Sequence, residues 1–299
     1  MGQPRFLLMT SSDTSQAAVS RLGGLFASID RQGVEGDHVL VLRGGGTPYL
    51  PPSERFRVHT VYVPFDTSLA LARNVAIHHA RDLGLLDRAD VVGFPDDDCR
   101  YSDGALQQAA HLLRGGEALV CVPYAPNTSA INRRRFPDLE MPITPTLAMQ
   151  AGSCVGIFLP GWAVNALGDF DERYGLGAPF GAAEDTDYVL RALCSGLSCR
   201  YRGQDALVLH AYKTERPAQY YLGNVAALAK HARGGGTRYL LVRRILLGAA
   251  LAAVRRMRWR EYFHALRAAF DLLGSDPLAE LQVATGRSGP SPRTSARGL

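Results

Sequence analysis

The sequence predicts an α/β fold with a C-terminal helical extension, on three observations. The first third of the chain alternates short apolar runs with segments of helical period, the strand–helix–strand order of a parallel sheet. One apolar run ends in a proline and three consecutive carboxylates, Asp90-Val-Val-Gly-Phe-Pro95-Asp96-Asp97-Asp98. After Gly234-Gly235-Gly236 the composition turns apolar and arginine-rich. With 299 residues and 46% hydrophobic content, the chain can fill the core of one large α/β domain or two small ones, which argues against global disorder. The expected division is 1–235 for the α/β domain, 236–283 for a basic, apolar helical extension and 284–299 for a disordered tail.

Taken in order, Arg5–Thr10 reads as the first strand, and the Ser11–Ser15 cluster as a turn with an N-cap. Val19, Leu22, Leu25, Phe26 and Ile29 recur at helical spacing. His38–Leu42 is a second strand and Phe56–Val63 a third, separated by the Gly44-Gly-Gly-Thr-Pro48 loop. Ser68–Leu83 carries Leu69, Ala72, Ala76 and Ala80 on one helical face, with Arg73 and Asn74 in its first half. The run from Asp90 is a fourth strand that must stop at Pro95, which cannot donate to a ladder. Asp103 is expected to cap a helix ending at Gly115-Gly116. Ala118–Pro123 is a strand, 124–150 an irregular proline-bearing stretch with a basic run at Arg133–Arg135, and Cys154–Leu159 another strand. Trp162–Leu167 is a short helix, Gly168–Phe180 a glycine-rich loop, Glu184–Cys194 a helix and Ala206–His210 the last strand.

Three adjacent carboxylates repel one another, and a divalent cation relieves that repulsion. Hard oxygen ligands favour Mg²⁺ or Mn²⁺ over zinc. The alternative is a solvated acidic turn with Asp98 or Asp103 capping the next helix. A second acidic group, Glu184-Asp185-Thr186-Asp187, either complements a helix N-terminus or offers a general base. His210 closes the last apolar run. Five cysteines with no Cys-x-x-Cys pair argue against a disulfide framework and a structural zinc site, and fit a reduced, cytoplasmic setting.

These stretches, in this order, resemble the inverting glycosyltransferases of the GT-A fold, family 2 type. The likeness covers about residues 6–235. It rests on Ser68-Leu-Ala-Leu-Ala-Arg73-Asn74, Phe94-Pro-Asp96-Asp97-Asp98, Gly168-Asp-Phe170-Asp171-Glu172, Glu184-Asp185-x-Asp187 and His210. The resemblance implies a Rossmann-like nucleotide-binding sheet with helices on both faces. It also implies transfer of a sugar from a nucleotide-sugar donor to a saccharide or lipid-linked acceptor, in cell-surface polysaccharide or glycolipid synthesis. By the same resemblance the metal, Mn²⁺ or Mg²⁺, falls to Asp96, Asp98 and His210. Arg73, Asn74, Asp96 and Asp97 fall to the nucleotide sugar, and Asp171 and Glu172 to the acceptor side. Asp185 or Glu184 is the base. Thr10 and Ser12 are assigned to the nucleotide by position. The loop there, Thr10-Ser-Ser-Asp13-Thr14, departs from the Pro-Thr-Tyr-Asn type common in the family, so the nucleotide stays undefined.

Two other readings compete. Gly44-Gly-Gly46-Thr47-Pro48 superficially resembles the phosphate loop of sugar-phosphate nucleotidylyltransferases, but it follows the second strand and has proline where a basic residue belongs. A non-catalytic, membrane-attached nucleotide-sugar-binding module is the other. Nucleic acid is not an expected partner, because the basic residues flank apolar runs and lack interleaved aromatics beyond Trp259, Tyr262 and Phe263. Between the arginine pairs at 243–244 and 255–256, the apolar block Ile245–Val254 is too short to span a bilayer. It suits either a helix lying in the interface of an anionic membrane, on the inner face, or a helical hairpin packed on the α/β domain.

Overall fold

The protein is described by a computed structural model covering residues 3–45, 52–212 and 217–273. The expected tail at 284–299 and most of the Gly44–Pro48 loop lie outside the described residues.

The first strand, β1 (Phe6–Asp13), runs three residues beyond its apolar core. Helix α1 (Gln16–Asp30) follows, capped by Ser15, whose hydroxyl accepts from Ala18 N at 3.2 Å. β2 (Gly36–Arg43) and β3 (Phe56–Val63) pair in parallel with each other, and β2 with β1, so Asp13 and Arg43 stand level at the carboxyl ends. Ser68 caps α2 (Leu69–Asp82). β4 (Val91–Gly93) pairs in parallel with β1 and ends before Pro95 as predicted. The chain therefore moves one way in the sheet from β1 to β2, and the other way from β3 to β4. Right-handed crossovers in opposite directions put α1 and α2 on opposite faces. The strand order reverses between β1 and β4, and in open α/β sheets ligands bind at that switch point.

The next segments depart from the sequence expectation in detail. β5 (Arg100–Tyr101) precedes α3 (Ala105–Arg114), whose N-cap is Gly104 at φ 74°. Asp103 makes no cap, because the left-handed turn at Gly104 moves the helix start one residue on. β6 (Leu119–Cys121) is followed by β7 (Tyr124–Ala125). The stretch expected to be irregular contains β8 (Glu140–Pro142) and α4 (Pro145–Ala151). Pro145 occupies the first helical turn, where its missing N–H costs nothing, and Thr144 caps it. β9 (Ile157–Leu159), α5 (Gly161–Leu167) and α6 (Glu184–Cys194) lie where expected, although Cys154–Gly156 is a 3₁₀ turn rather than strand. β10 (Cys199–Arg202) was not anticipated, and the last strand is only β11 (Val208–Leu209). Among the described residues three helices come last: α7 (Pro217–Lys230), α8 (Gly235–Ala253) and α9 (Trp259–Leu272).

The central sheet has eight strands in the order β3-β2-β1-β4-β9-β6-β10-β8. β9 runs antiparallel between β4 and β6, and β8 is an antiparallel edge. The core lies along it: Leu7, Leu8, Val41, Val92, Val120 and Phe158 are fully or almost fully buried. A second, three-stranded sheet, β5-β11-β7, sits beside the acidic triplet. Its register fixes the site. Leu209 faces Arg100 in an antiparallel pair, so one step further sets His210 opposite Cys99, next to Asp98.

Candidate active site

The acidic triplet leaves the end of β4, and His210 leaves the end of β11. His210 Nε2 lies 3.1 Å from Asp98 Oδ1 and 3.5 Å from Asp96 Oδ2. The imidazole is buried against the Tyr124 ring, centroids 5.6 Å apart, and neither ring nitrogen makes a well-formed hydrogen bond among the described residues. Two ligands held side by side at about 2.1 Å on an octahedral ion stand roughly 3 Å apart, so this spacing suits one small divalent cation. The sulfur of Cys99 falls in the same cluster: the ligand atoms of Asp98, Cys99 and His210 lie within 4.8 Å of one another. A thiol ligates only as thiolate. Asp96 therefore completes the better set for Mn²⁺ or Mg²⁺, two carboxylates and an imidazole.

The start of α6 lines the same cleft. Its N-cap, Ala183, is left-handed at φ 72°, a conformation costing a non-glycine residue about 1–2 kcal/mol, and it turns the two following carboxylates toward the cleft. Glu184 is buried and accepts from Arg73 Nη1 at 2.9 Å. Its carboxylate also packs where a side chain on Gly175 (φ 93°) would stand, so only glycine leaves room there. Asp185 is held by backbone donors: Thr186 N to Oδ1 at 2.8 Å and Cys154 N to Oδ2 at 3.3 Å. Arg73 also reaches Asp96 Oδ1 at 3.3 Å, so it ties the two acidic groups together. Burial raises the Glu184 carboxyl to about 7, and Asp185 beside it adds to the rise, outweighing the pull of Arg73. The Asp185 carboxyl is likewise raised by burial, against the pull of Arg73 and its two backbone donors. Burial alone would lower Arg73, but the Cys154 thiol, Glu184, Asp96 and Asp185 around it keep its pKa above the ordinary value.

One cavity of about 510 Å³ is lined by members of both groups, Asp96 and His210 together with Glu184 and Asp185. Arg73 lines it as well. Asp98, 3.1 Å from His210, does not line it.

The remaining residues singled out in the sequence have other partners. Asp97 is gripped by Arg21, with Nε at 3.1 Å and Nη2 at 2.9 Å, and accepts from Ser12 Oγ at 2.5 Å. The Thr10 hydroxyl pairs with the buried ring of His38 at 2.9 Å. Burial lowers that imidazole to about 3, so it is neutral. Asn74 holds the glycine-rich loop: its Nδ2 donates to Phe170 O at 2.9 Å and Glu172 Oε1 at 3.0 Å, and its Oδ1 accepts from Phe170 N at 2.7 Å. Asp171 accepts from Arg173 at 2.6 Å and Lys230 Nζ at 2.8 Å. None of Thr10, Ser12, Asn74, Asp97, Asp171 and Glu172 lines the cavity. The sequence reading missed Arg21, Tyr124, Arg135, Tyr220 and Asn224. Arg135 does belong to the basic run noted above, but it points into the cleft over the Tyr124 ring at 5.2 Å, while Arg133 donates to Gln204 O at 2.9 Å.

No protein-family model and no curated protein sequence matches the chain. Solved structures do match. S. aureus TarS (1-349) superposes at TM-score 0.64 with 14% identity, over 90% of this chain and 81% of that one. The same protein in complex with UDP-GlcNAc gives 0.63 at 13% identity, over 94% and 87%. The mannosyltransferase PcManGT from Pyrobaculum calidifontis, in complex with GDP-Man and Mn²⁺, gives 0.55 at 16% identity, over 96% and 80%. The chain has the GT-A glycosyltransferase fold. The likeness extends through the C-terminal helices, since the superpositions cover more than the 235 residues expected of the α/β domain.

Proposed function

We propose that the protein is a metal-dependent, inverting glycosyltransferase that moves a sugar from a nucleotide-sugar donor to a saccharide or lipid-linked acceptor. One observation carries this reading: a single cavity is lined by Asp96 and His210 of a carboxylate–imidazole cluster and by a pair of raised carboxyls, Glu184 and Asp185. The neighbours solved with UDP-GlcNAc and with GDP-Man and Mn²⁺ support it.

Asp96, Asp98 and His210 would hold the divalent ion, which when bound neutralises the diphosphate leaving group. Arg73 keeps Asp96 turned toward that side while pairing with Glu184. Asp185 is the better base of the two. Both line the cavity, but Glu184 is committed to Arg73 and packed on Gly175, whereas Asp185 is oriented by two backbone N–H donors. A raised carboxyl takes a proton from an acceptor hydroxyl more readily than an ordinary one. Inversion requires attack from the face opposite the diphosphate, so Asp185 and the metal ligands would flank the anomeric carbon.

The test is a panel of UDP- and GDP-sugars incubated with the protein, with and without Mn²⁺, reading release of the nucleoside diphosphate. Metal-dependent release from at least one donor is expected. No release from any donor, with no Mn²⁺-dependent nucleotide binding, would leave only a fold without the chemistry.

A further inference from the structure

Helix α8 has a buried face and leaves a second set of apolar residues on its outward side. Thr237, Leu241, Gly248 and Ala252 are its buried face. That orientation is fixed by packing: a side chain at Gly248 would run into the Tyr221 hydroxyl, which donates to Arg244 O at 3.3 Å. The opposite face carries Tyr239, Val242, Leu246, Leu247 and Val254, all between 47% and 66% exposed. Tyr239, Val242 and Leu246 follow in steps of three and four, Leu247 adjoins Leu246, and Val254 at the helix end lies seven beyond Leu247, which puts them on one broad stripe. Helix α9 repeats the pattern with Trp259, Phe263 and Phe270 at 48%, 58% and 72% exposure, the first two rings stacked at 5.7 Å. No described residue covers either stripe.

The charge is concentrated in the same place. Residues 235–273 hold eight arginines against Glu261 and Asp271, a net +6, more than the +5 of the whole chain. Arg238, Arg255, Arg256 and Arg260 are exposed around the apolar stripes, and the exposed Arg243 lies within that of α8. Exposed apolar and aromatic side chains ringed by arginines are the composition of helices that lie in a membrane interface. Long arginine stems can bury while their guanidinium groups reach the headgroups. A second copy of this chain is a poor occupant, because docking would bring two such arginine sets together. Crossing the membrane is not the alternative: no helix among the described residues is long and apolar enough.

We infer that α8 and α9 dock by these outward faces on the surface of an anionic lipid bilayer, with both helices lying in its plane. α7 then stands between the membrane and the cleft. Its Tyr221 packs on α8, while its Tyr220 and Asn224 line the cavity. The inference is independent of the proposed reaction, since it needs neither donor nor metal.

The test is co-sedimentation of the full chain with vesicles of phosphatidylcholine alone and of phosphatidylcholine mixed equally with phosphatidylglycerol. Binding to the anionic vesicles at low salt, weakening steeply as salt rises, is expected, with little binding to the neutral ones. Leu246→Gln, Trp259→Gln and Phe263→Gln together should lower the partition coefficient at least about tenfold. All three side chains point outward, so circular dichroism and the thermal midpoint should stay near wild type. In a second variant, Arg243→Gln, Arg255→Gln and Arg256→Gln, each lost arginine should cost roughly fivefold, the equivalent of about 1 kcal/mol, on anionic vesicles only. The inference is overturned if the wild-type chain stays in the supernatant at low salt, or if neither variant changes binding. It is also overturned if light scattering shows the apolar variant turning a wild-type dimer into a monomer while the vesicles bind nothing.

Discussion

Arg73 and Glu184 form a buried ion pair, Nη1 to Oε1 at 2.9 Å, with both side chains less than a tenth exposed. The pair links the base side of the cleft to the metal side, because the other Arg73 nitrogen rests on Asp96. It also sets a pH response. The Glu184 carboxyl is raised to about 7 in the folded protein, so the fold holds that proton more tightly than the unfolded chain does. Folding stability should therefore fall as pH rises from the ordinary glutamate range to about 7 and level off above it, while turnover should climb with pH as the raised Asp185 carboxyl ionises. Arg73 pulls both carboxyls down. Arg73→Gln should move the acidic limb of the kcat/KM profile to higher pH. A limb that stays in place in the variant would detach Arg73 from the ionisation that governs turnover.

Asp185→Asn should lower the transfer rate by about 10²–10⁴-fold, the scale for losing a general base, with donor affinity nearly unchanged. Glu184→Gln should act differently, weakening donor binding as well as rate, because it frees Arg73 from the partner that orients it. Steady-state kinetics on both variants separates the roles. A larger rate loss in the Glu184 variant with KM preserved would move the base to that residue.

Asp98→Ala and His210→Ala should each weaken Mn²⁺ binding by at least tenfold, read by calorimetry or by the electron paramagnetic resonance signal of free Mn²⁺. Ligand spacing of 3.1 Å leaves no room for one residue to be replaced by the other. Cys99→Ser should leave Mn²⁺ affinity within about twofold, because the thiol is not part of the hard donor set. A loss on Cys99→Ser equal to that on Asp98→Ala would make the sulfur a ligand.

How much of this the sequence carried depends on how local each determinant is. β3 matches its reading residue for residue, because Phe56–Val63 is bounded by breakers and rich in β-formers. The start of α6 and the stop of β4 at Pro95 were legible for the same reason. β10 was not, since Arg200 and Arg202 interrupt its apolar residues and only pairing with β6 and β8 makes it a strand. Pro145 read as a breaker but serves as a helix start. At the site, the order of motifs predicted that Asp96, Asp98 and His210 converge, and they do. The partners of Asn74 and Asp97 were invisible, because Phe170 lies 96 residues from Asn74 and Arg21 lies 76 from Asp97. No spacing rule reaches across such separations.

The same limit separates Asp187 from Asp185, two residues apart in one acidic motif. Asp187 is completely buried and meets Arg191 Nη2 at 2.6 Å, Lys230 Nζ at 2.9 Å and His231 Nε2 at 2.9 Å. Burial alone would raise its carboxyl, but Lys230, Arg191 and His231 prevail and hold it well below the ordinary 3.8. Asp187 is thus an anchor between α6 and the end of α7, away from the cavity. Asp187→Asn keeps the size but leaves Lys230 and Arg191 without their shared counter-charge, at a cost of about 3–5 kcal/mol. In a protein of this length that lowers the thermal midpoint by roughly 5–8 °C. The sign with pH follows from the depressed carboxyl. Its stabilisation is present above the ordinary aspartate value of 3.8 and is lost as pH falls toward the folded value, so wild type and variant should converge in acid. Thermal melts of Asp187→Asn and Asp185→Asn between neutral and acid pH check this. Asp185→Asn should melt near wild type and fail in transfer, whereas an Asp187→Asn protein that melts with wild type at neutral pH would remove the anchor from this account.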